Sequence, residues 1–199
     1  MIYAAIIIVL IVLYQRNQAT NKNVMITHKC LKGKQNYKPG HGDIPGFKNK
    51  GFTLFFDIPK TSWFDPTDKG PIGSDGKDWN KIAGVSFIHP LMPWTWIKNS
   101  NSAMIVWRPS ETKGWFEVTA YTNDVRTRHV SGYPILIEGG EGGAATVSIN
   151  RRSVDYDLQG HSFTHKIKRW AIAVPVGPSF GGNKKSPLTH FVSTIFKMK

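Results

Sequence analysis

Four aspartates, Asp65, Asp68, Asp75 and Asp78, fall within one Gly- and Pro-containing stretch. Hard cations bind where several carboxylate and carbonyl oxygens converge, so a Ca²⁺ loop is the first chemistry to weigh. The spacing is not that of an EF-hand and Lys69 and Lys77 interleave, so a solvated loop is the simpler reading. Gly70 to Lys77 misses phosphate-loop spacing, with Asp78 where Ser or Thr would hold Mg²⁺. Glycoside hydrolysis needs two carboxylates about 5–9 Å apart. The only glutamates are Glu111, Glu117, Glu138 and Glu141, and the last two flank a pair of glycines on a segment that reads as flexible. Asp155 and Asp157 could share a strand face. His161 and His165 would also share one, about 13 Å apart, too far for a metal pair. No Ser/His/Asp or Cys/His arrangement has a nucleophile turn. The one cysteine, Cys30, excludes a disulfide framework and a thiolate zinc site and reads as a buried thiol. These residues predict no metal, no cofactor and no catalytic group.

Binding chemistry is better represented. Trp94 and Trp96 lie in a Pro-bounded loop beside Lys98 and Asn99, a set able to stack on sugar rings and hydrogen-bond their hydroxyls. The 26 Lys and Arg against 13 Asp and Glu give a formal charge of +13. Such a surface attracts polyanions over long range, whether acidic glycan, nucleic acid, anionic lipid or acidic protein. Arg126 with Arg128, Arg151 with Arg152, Lys166 with Lys168 and Arg169, and Lys184 with Lys185 are local basic groups that would make an anion-binding surface if their faces merge. No nucleic-acid motif accompanies them, so sequence-specific readout is not expected.

The elements that must position these residues are strands. Residues 102–108 and 115–121 flank Pro109-Ser110-Glu111-Thr112-Lys113-Gly114, which has turn chemistry. Phe116, Val118 and Ala120 would face one way and Glu117, Thr119 and Tyr121 the other. Further strand-like runs lie at 24–26, 52–58, 79–87, 125–130, 133–138, 145–150, 162–170, 171–176 and 190–198. With no long apolar stripe of helical period after residue 14, this spacing predicts an antiparallel β-sandwich of jelly-roll or concanavalin-like type.

The N-terminus is different. Ile2, Tyr3, Ile6, Ile7, Ile8, Val9, Leu10, Ile11, Val12, Leu13 and Tyr14 belong to an unbroken apolar run, about 20 Å long as a helix. It reads as a membrane anchor, with a secretory signal or a segment buried in an assembly as alternatives. The basic residues after it put the body on the cytoplasmic or interior side. The organisation expected is an N-terminal hydrophobic anchor helix over 1–14, a polar linker over 15–23 and a β-sandwich over 24–199.

Trp79-Asn80-Lys81 with Gly84-Val85-Ser86-Phe87, then Asn101 to Arg108, Phe116 to Tyr121, and Pro178-Ser179-Phe180-Gly181-Gly182-Asn183 with Pro187 resemble, in this order, a group of small uncharacterised β-sandwich proteins of bacterial and phage genomes. The resemblance implies a jelly-roll or concanavalin-like fold and carries no activity. The expectation drawn is a non-enzymatic structural or attachment component of a membrane-associated or virion-type assembly. It would partner a membrane or hydrophobic surface through residues 2–14, and other structural proteins or copies of itself. The alternatives are a carbohydrate- or polyanion-binding, lectin-like module and, last, a glycoside hydrolase on the same fold.

Overall fold

The computed structural model describes residues 24–39, 50–67, 78–88, 102–124, 128–150, 153–166, 172–181 and 185–199. Residues 2–14 and the linker lie outside the described residues. No helix among those described is long and apolar enough to cross a membrane.

Among the described residues thirteen strands form two antiparallel sheets. They are β1 (Ile26–Cys30), β2 (Tyr37–Lys38), β3 (Gly51–Asp57), β4 (Asn80–Ile88), β5 (Ser102–Pro109), β6 (Trp115–Asp124), β7 (Arg128–Ser131), β8 (Ile135–Glu138), β9 (Gly143–Ile149), β10 (Ser153–Leu158), β11 (His161–Lys166), β12 (Ile172–Val176) and β13 (His190–Met198). One sheet has the order β11-β10-β9-β3-β13-β1-β2; the other is β12-β4-β5-β6-β7, with β8 also on β6. At ten residues β6 is long enough to pair β7 along its second half and β8 along its first. The expected all-β sandwich is the observed architecture. Strand β10 was not among the runs expected from the sequence.

The central hairpin forms as its residues dictate. β5 pairs β6 from Ser102↔Asn123 to Pro109↔Phe116. Its turn closes with Ser110 N–H on the Trp115 carbonyl at 3.0 Å and Thr112 N–H on Ser110 Oγ at 3.1 Å. Gly114 takes φ +82°, a conformation that side chains with a Cβ rarely adopt.

The two inner faces meet in one core. Phe116, Val118 and Ala120 are fully buried, as their alternation predicts, together with Ile105, Trp107, Val85, Phe52, Leu54, Val147, Val154 and Val192. Each large side chain removed from water contributes on the order of 1.5–3 kcal/mol. Cys30 is a free, buried thiol, and burial pushes its pKa up to about 11, opposed by a hydrogen bond with Ser186.

One end of the core is aromatic and polar together. His190 Nδ1–H donates to the Ser62 carbonyl at 3.0 Å, and the ring is packed by Phe180, Phe64 and Trp107. Its Nε2 and the Trp107 Nε1–H are buried and have no hydrogen-bond partner. Burial pushes the His190 pKa down to about 4, the Ser62 carbonyl only partly opposing it. The unfolded imidazole, with its ordinary pKa near 6.5, therefore binds a proton that the folded one refuses. Stability is complete above about pH 6.5 and is lost as pH falls toward 4, on the order of 3 kcal/mol from this group. Urea unfolding at a series of pH values between 7.5 and 4.5 should show that loss, and His190→Gln should flatten it. An unchanged slope in the variant would assign the acid sensitivity elsewhere. Trp107→Ala should cost about 3–5 kcal/mol in the same assay.

Candidate functional site

In a two-layer sandwich the outer faces normally meet water, but the middle of the six-stranded sheet's outer face is largely buried. Met104, Val106 and Val176 form a second buried cluster there, with Trp79 and Tyr121 packed against it. Val174, Ser86, Ser102 and Thr119 on the same face are also buried. The sequence carries the sign of this, because Ala103 to Trp107 and Ile172 to Val176 do not alternate and apolar runs belong to strands covered on both sides.

A bulge in β4 decides which polar groups join that face. Ala83 and Val85 point into the core, so strict alternation would send Lys81 inward too. The register instead shifts between Lys81 and Ala83, so that Ile82 and Ala83 are both fully buried in the core. Lys81 then pairs Val106 and sits on the outer side. An extra residue in one strand re-aims the side chains beyond it. The Lys81 backbone is held on the other side by a two-way bridge to Ser179, at 2.8 and 3.1 Å. Gly84 permits the close approach of β4 to β5: a Cβ there would lie 2.3 Å from the Ala103 oxygen and 2.6 Å from Met104 Cα.

Register then sets the neighbours in rows across the strands: Lys81–Val106–Thr119, Gly84–Met104–Tyr121 and Ser86–Ser102–Asn123. Two strand spacings and one row separate Lys81 from Tyr121, about 12 Å between Cα atoms, a gap that a lysine and a tyrosine can close over Val106 and Met104. The electrostatics agree, since both groups feel the Asp78 carboxylate. Burial pushes the Lys81 amine below its ordinary value, with Asp78 partly restoring it. Burial raises the Tyr121 phenol, and Asp78 raises it further. One row beyond, Arg108 donates from Nε to Glu117 Oε2 at 2.6 Å, with Nη2 also 2.6 Å from that oxygen. Its guanidinium lies over the Trp79 ring at 4.4 Å. Such a site holds two proton-transfer groups, a lysine and a tyrosine, next to a fixed cation.

Trp94, Trp96, Lys98, Asn99, Arg126, Arg151, Arg152, Lys168, Arg169 and Lys184 lie outside the described residues. Arg128 and Lys166 are placed as strand residues of β7 and β11. Of the aspartate loop, Asp65 accepts from Thr67 N–H and Oγ1 at 2.8 and 2.6 Å, an ordinary turn. No group of three or more His, Cys, Asp or Glu able to hold a metal occurs among the described residues. Glu138 and Glu141 are not on a flexible segment: Glu138 belongs to β8 and pairs Lys60, and the turn closes with Glu141 N–H on the Glu138 carbonyl. Asp155 and Asp157 do share a strand face, in a shallow groove of about 270 Å³ on the outer side of the seven-stranded sheet. Asn150 and Thr164 hold Asp155, and Gly160 N–H holds Asp157, so both carboxylates serve the local structure. Lys81, Arg108 and Tyr121 were not expected as site residues. The sequence did place Tyr121 on the face opposite Phe116, Val118 and Ala120, whereas nothing local reveals the bulge that brings Lys81 there.

No family model matches the chain, and no curated protein matches it. Solved structures do. The alginate lyase AlyC3 aligns with a TM-score of 0.55 at 12% identity, over 88% of this chain and 75% of that one. The same lyase in complex with dimannuronate aligns at 0.53 and 12%, over 87% and 74%. The alginate lyase vAL-1 from Chlorella virus is 13% identical over 88% and 85%, with a TM-score of 0.48. At such identities the likeness is one of fold. It overturns the expectation of a non-enzymatic attachment component, because the solved structures this chain resembles are those of enzymes.

The Gly84 approach is testable. Gly84→Ala must push backbone atoms of β5 aside, and should lower stability by about 2–3 kcal/mol in urea unfolding. A variant as stable as the parent would refute the close contact and the strand geometry around Lys81.

Proposed function

We propose that this protein is a polysaccharide lyase that cleaves a uronate-containing glycan on the outer face of its six-stranded sheet. The observation that supports the reading is that the β4 bulge puts Lys81 on the same face as Tyr121, one row and two strand spacings away. The fold likeness to AlyC3, an alginate lyase, supports it. So does the charge of +13, which would draw an acidic polymer to the surface at a rate sensitive to salt.

The chemistry follows from the two environments. In a uronate the proton at C5 is made acidic by the adjacent carboxylate once a cation offsets its charge. Arg108, held by Glu117 and stacked on Trp79, supplies that charge. A base takes the C5 proton, the freed electron pair becomes the C4–C5 double bond, and the C4–O bond breaks. The departing oxygen takes a proton from an acid. Burial favours the neutral amine of Lys81, which suits the base, and keeps Tyr121 protonated, which suits the acid. Activity should therefore rise toward alkaline pH as Lys81 loses its proton.

Incubation with polymannuronate should release products with the ultraviolet absorbance of a conjugated unsaturated uronate. Lys81→Met and Tyr121→Phe should each lower turnover by about 10²- to 10⁴-fold without unfolding the chain. New reducing ends without that absorbance would mean hydrolysis, and wild-type turnover in either variant would remove its assigned role.

A further inference from the structure

The outer face of the seven-stranded sheet, on the other side of the sandwich from Lys81, carries its own arrangement of side chains. Leu54 and Phe56 point into the core, so Phe55 between them points outward, and it is 51% exposed. Its cross-strand partners are Ile195 on β13 and Ala144 on β9, which share the face with it. Four residues back along β13, Phe191 pairs Lys29 on β1, and Lys29 pairs Lys38 on β2. Their chain neighbours Cys30, Tyr37 and Val192 are buried in the core. Lys29, Lys38 and Phe191 therefore stand on the outer face with Phe55.

Two lysines directly opposite each other repel and weaken the strand pair that holds them. Both are exposed, and among the described residues neither is in an ion pair. The Lys29 ammonium lies over the Phe191 ring, 5.7 Å from its centre, which keeps it on this face. An anionic group accepting from both ammonium groups would relieve the repulsion. Lys197, opposite Thr53, adds a third cation about 20 Å along β13 from the lysine pair, with the Phe55 row between them. Hydroxyls fill the space: Thr27 Oγ1 and Ser193 Oγ are hydrogen-bonded at 2.9 Å. The carboxylates lie to one side. Asp155 and Asp157 are on β10, three strands from β13, and Asp57, opposite Ser193, has one oxygen buried.

We infer that this face is a second, non-catalytic binding surface for an acidic polysaccharide. The Lys29–Lys38 pair takes a carboxylate, and Phe55 stacks on the apolar C–H face of a sugar farther along the chain. The lysine row and the Phe55 row are about 13 Å apart along β13, so one sugar cannot span both and longer chains are favoured. An anionic lipid surface would meet the same cations, but the hydroxyls of Thr27, Ser193 and Thr53 around Phe55 match sugar hydroxyls rather than acyl chains. The inference does not depend on the chemistry proposed at Lys81, which belongs to the opposite sheet.

The test measures binding of mannuronate hexamer by titration calorimetry in the full chain carrying Lys81→Met, so that no hexamer is consumed. Lys38→Glu, Phe55→Ala and Phe55→Tyr are then added singly. Lys38→Glu and Phe55→Ala should each weaken one binding event about tenfold, while Phe55→Tyr, which keeps the ring, should not. Lys38→Glu sets opposite charges face to face with Lys29, so urea unfolding should show no loss of stability and exclude misfolding as the cause. With Lys81 restored, turnover of mannuronate dimer should be unchanged by either variant. Hexamer binding equal to the parent in Lys38→Glu or in Phe55→Ala overturns the surface. So does binding of phosphatidylserine vesicles that needs Lys38 and Phe55 where hexamer does not bind. Hexamer binding that needs both residues, in a protein whose wild type cleaves nothing, leaves this surface standing and removes the lyase chemistry.

Discussion

The site depends on one extra residue in β4. Without the register shift between Lys81 and Ala83, the lysine would point into a core lined by Trp107, Ile105 and Phe116, where a charged amine is very costly. With it, Ile82 and Ala83 fill the core and the lysine crosses to the outer face beside Val106. Gly84 lets the bulged strand stay close to β5, and the Ser179 bridge secures its other side. The same displacement therefore serves packing and brings the lysine to the face proposed for the chemistry.

The outer face owes its character to burial on both sides of the central strands. Met104, Val106 and Val176 provide an apolar floor that lowers the effective dielectric around Lys81 and Tyr121. That is the physical origin of the opposed shifts, the amine toward its neutral form and the phenol toward its protonated one. Asp78 acts on both and tempers only the first. Arg108 is handled differently. Its side chain is held in place by Glu117 and by the Trp79 face.

The inner core carries polar groups that the site does not use. His190 and Trp107 pack edge against face, and a ring nitrogen of each goes without a partner, which is a standing cost in a buried place. Tyr156 and Thr122 satisfy each other across the two sheets. The core thus links the sheets by aromatic packing plus one hydroxyl contact, and leaves acid as a condition that works against the fold.

The sequence alone determined the fold class and the central hairpin. Alternation in Phe116 to Tyr121 and the Pro109–Gly114 turn are local signals, and local signals suffice for strands and tight turns. It also determined the excess positive charge, which is a sum over residues and needs no structure. It pointed toward Trp94, Trp96 and the paired arginines as binding groups, because two tryptophans beside prolines and clustered charge stand out in a linear text. Only the tertiary structure decided that Lys81, Arg108 and Tyr121 share a face. Their meeting depends on a one-residue bulge and on the cross-strand register of β4, β5 and β6. Register is set by which side chains of distant strands fit one core, and no stretch of the chain records it by itself.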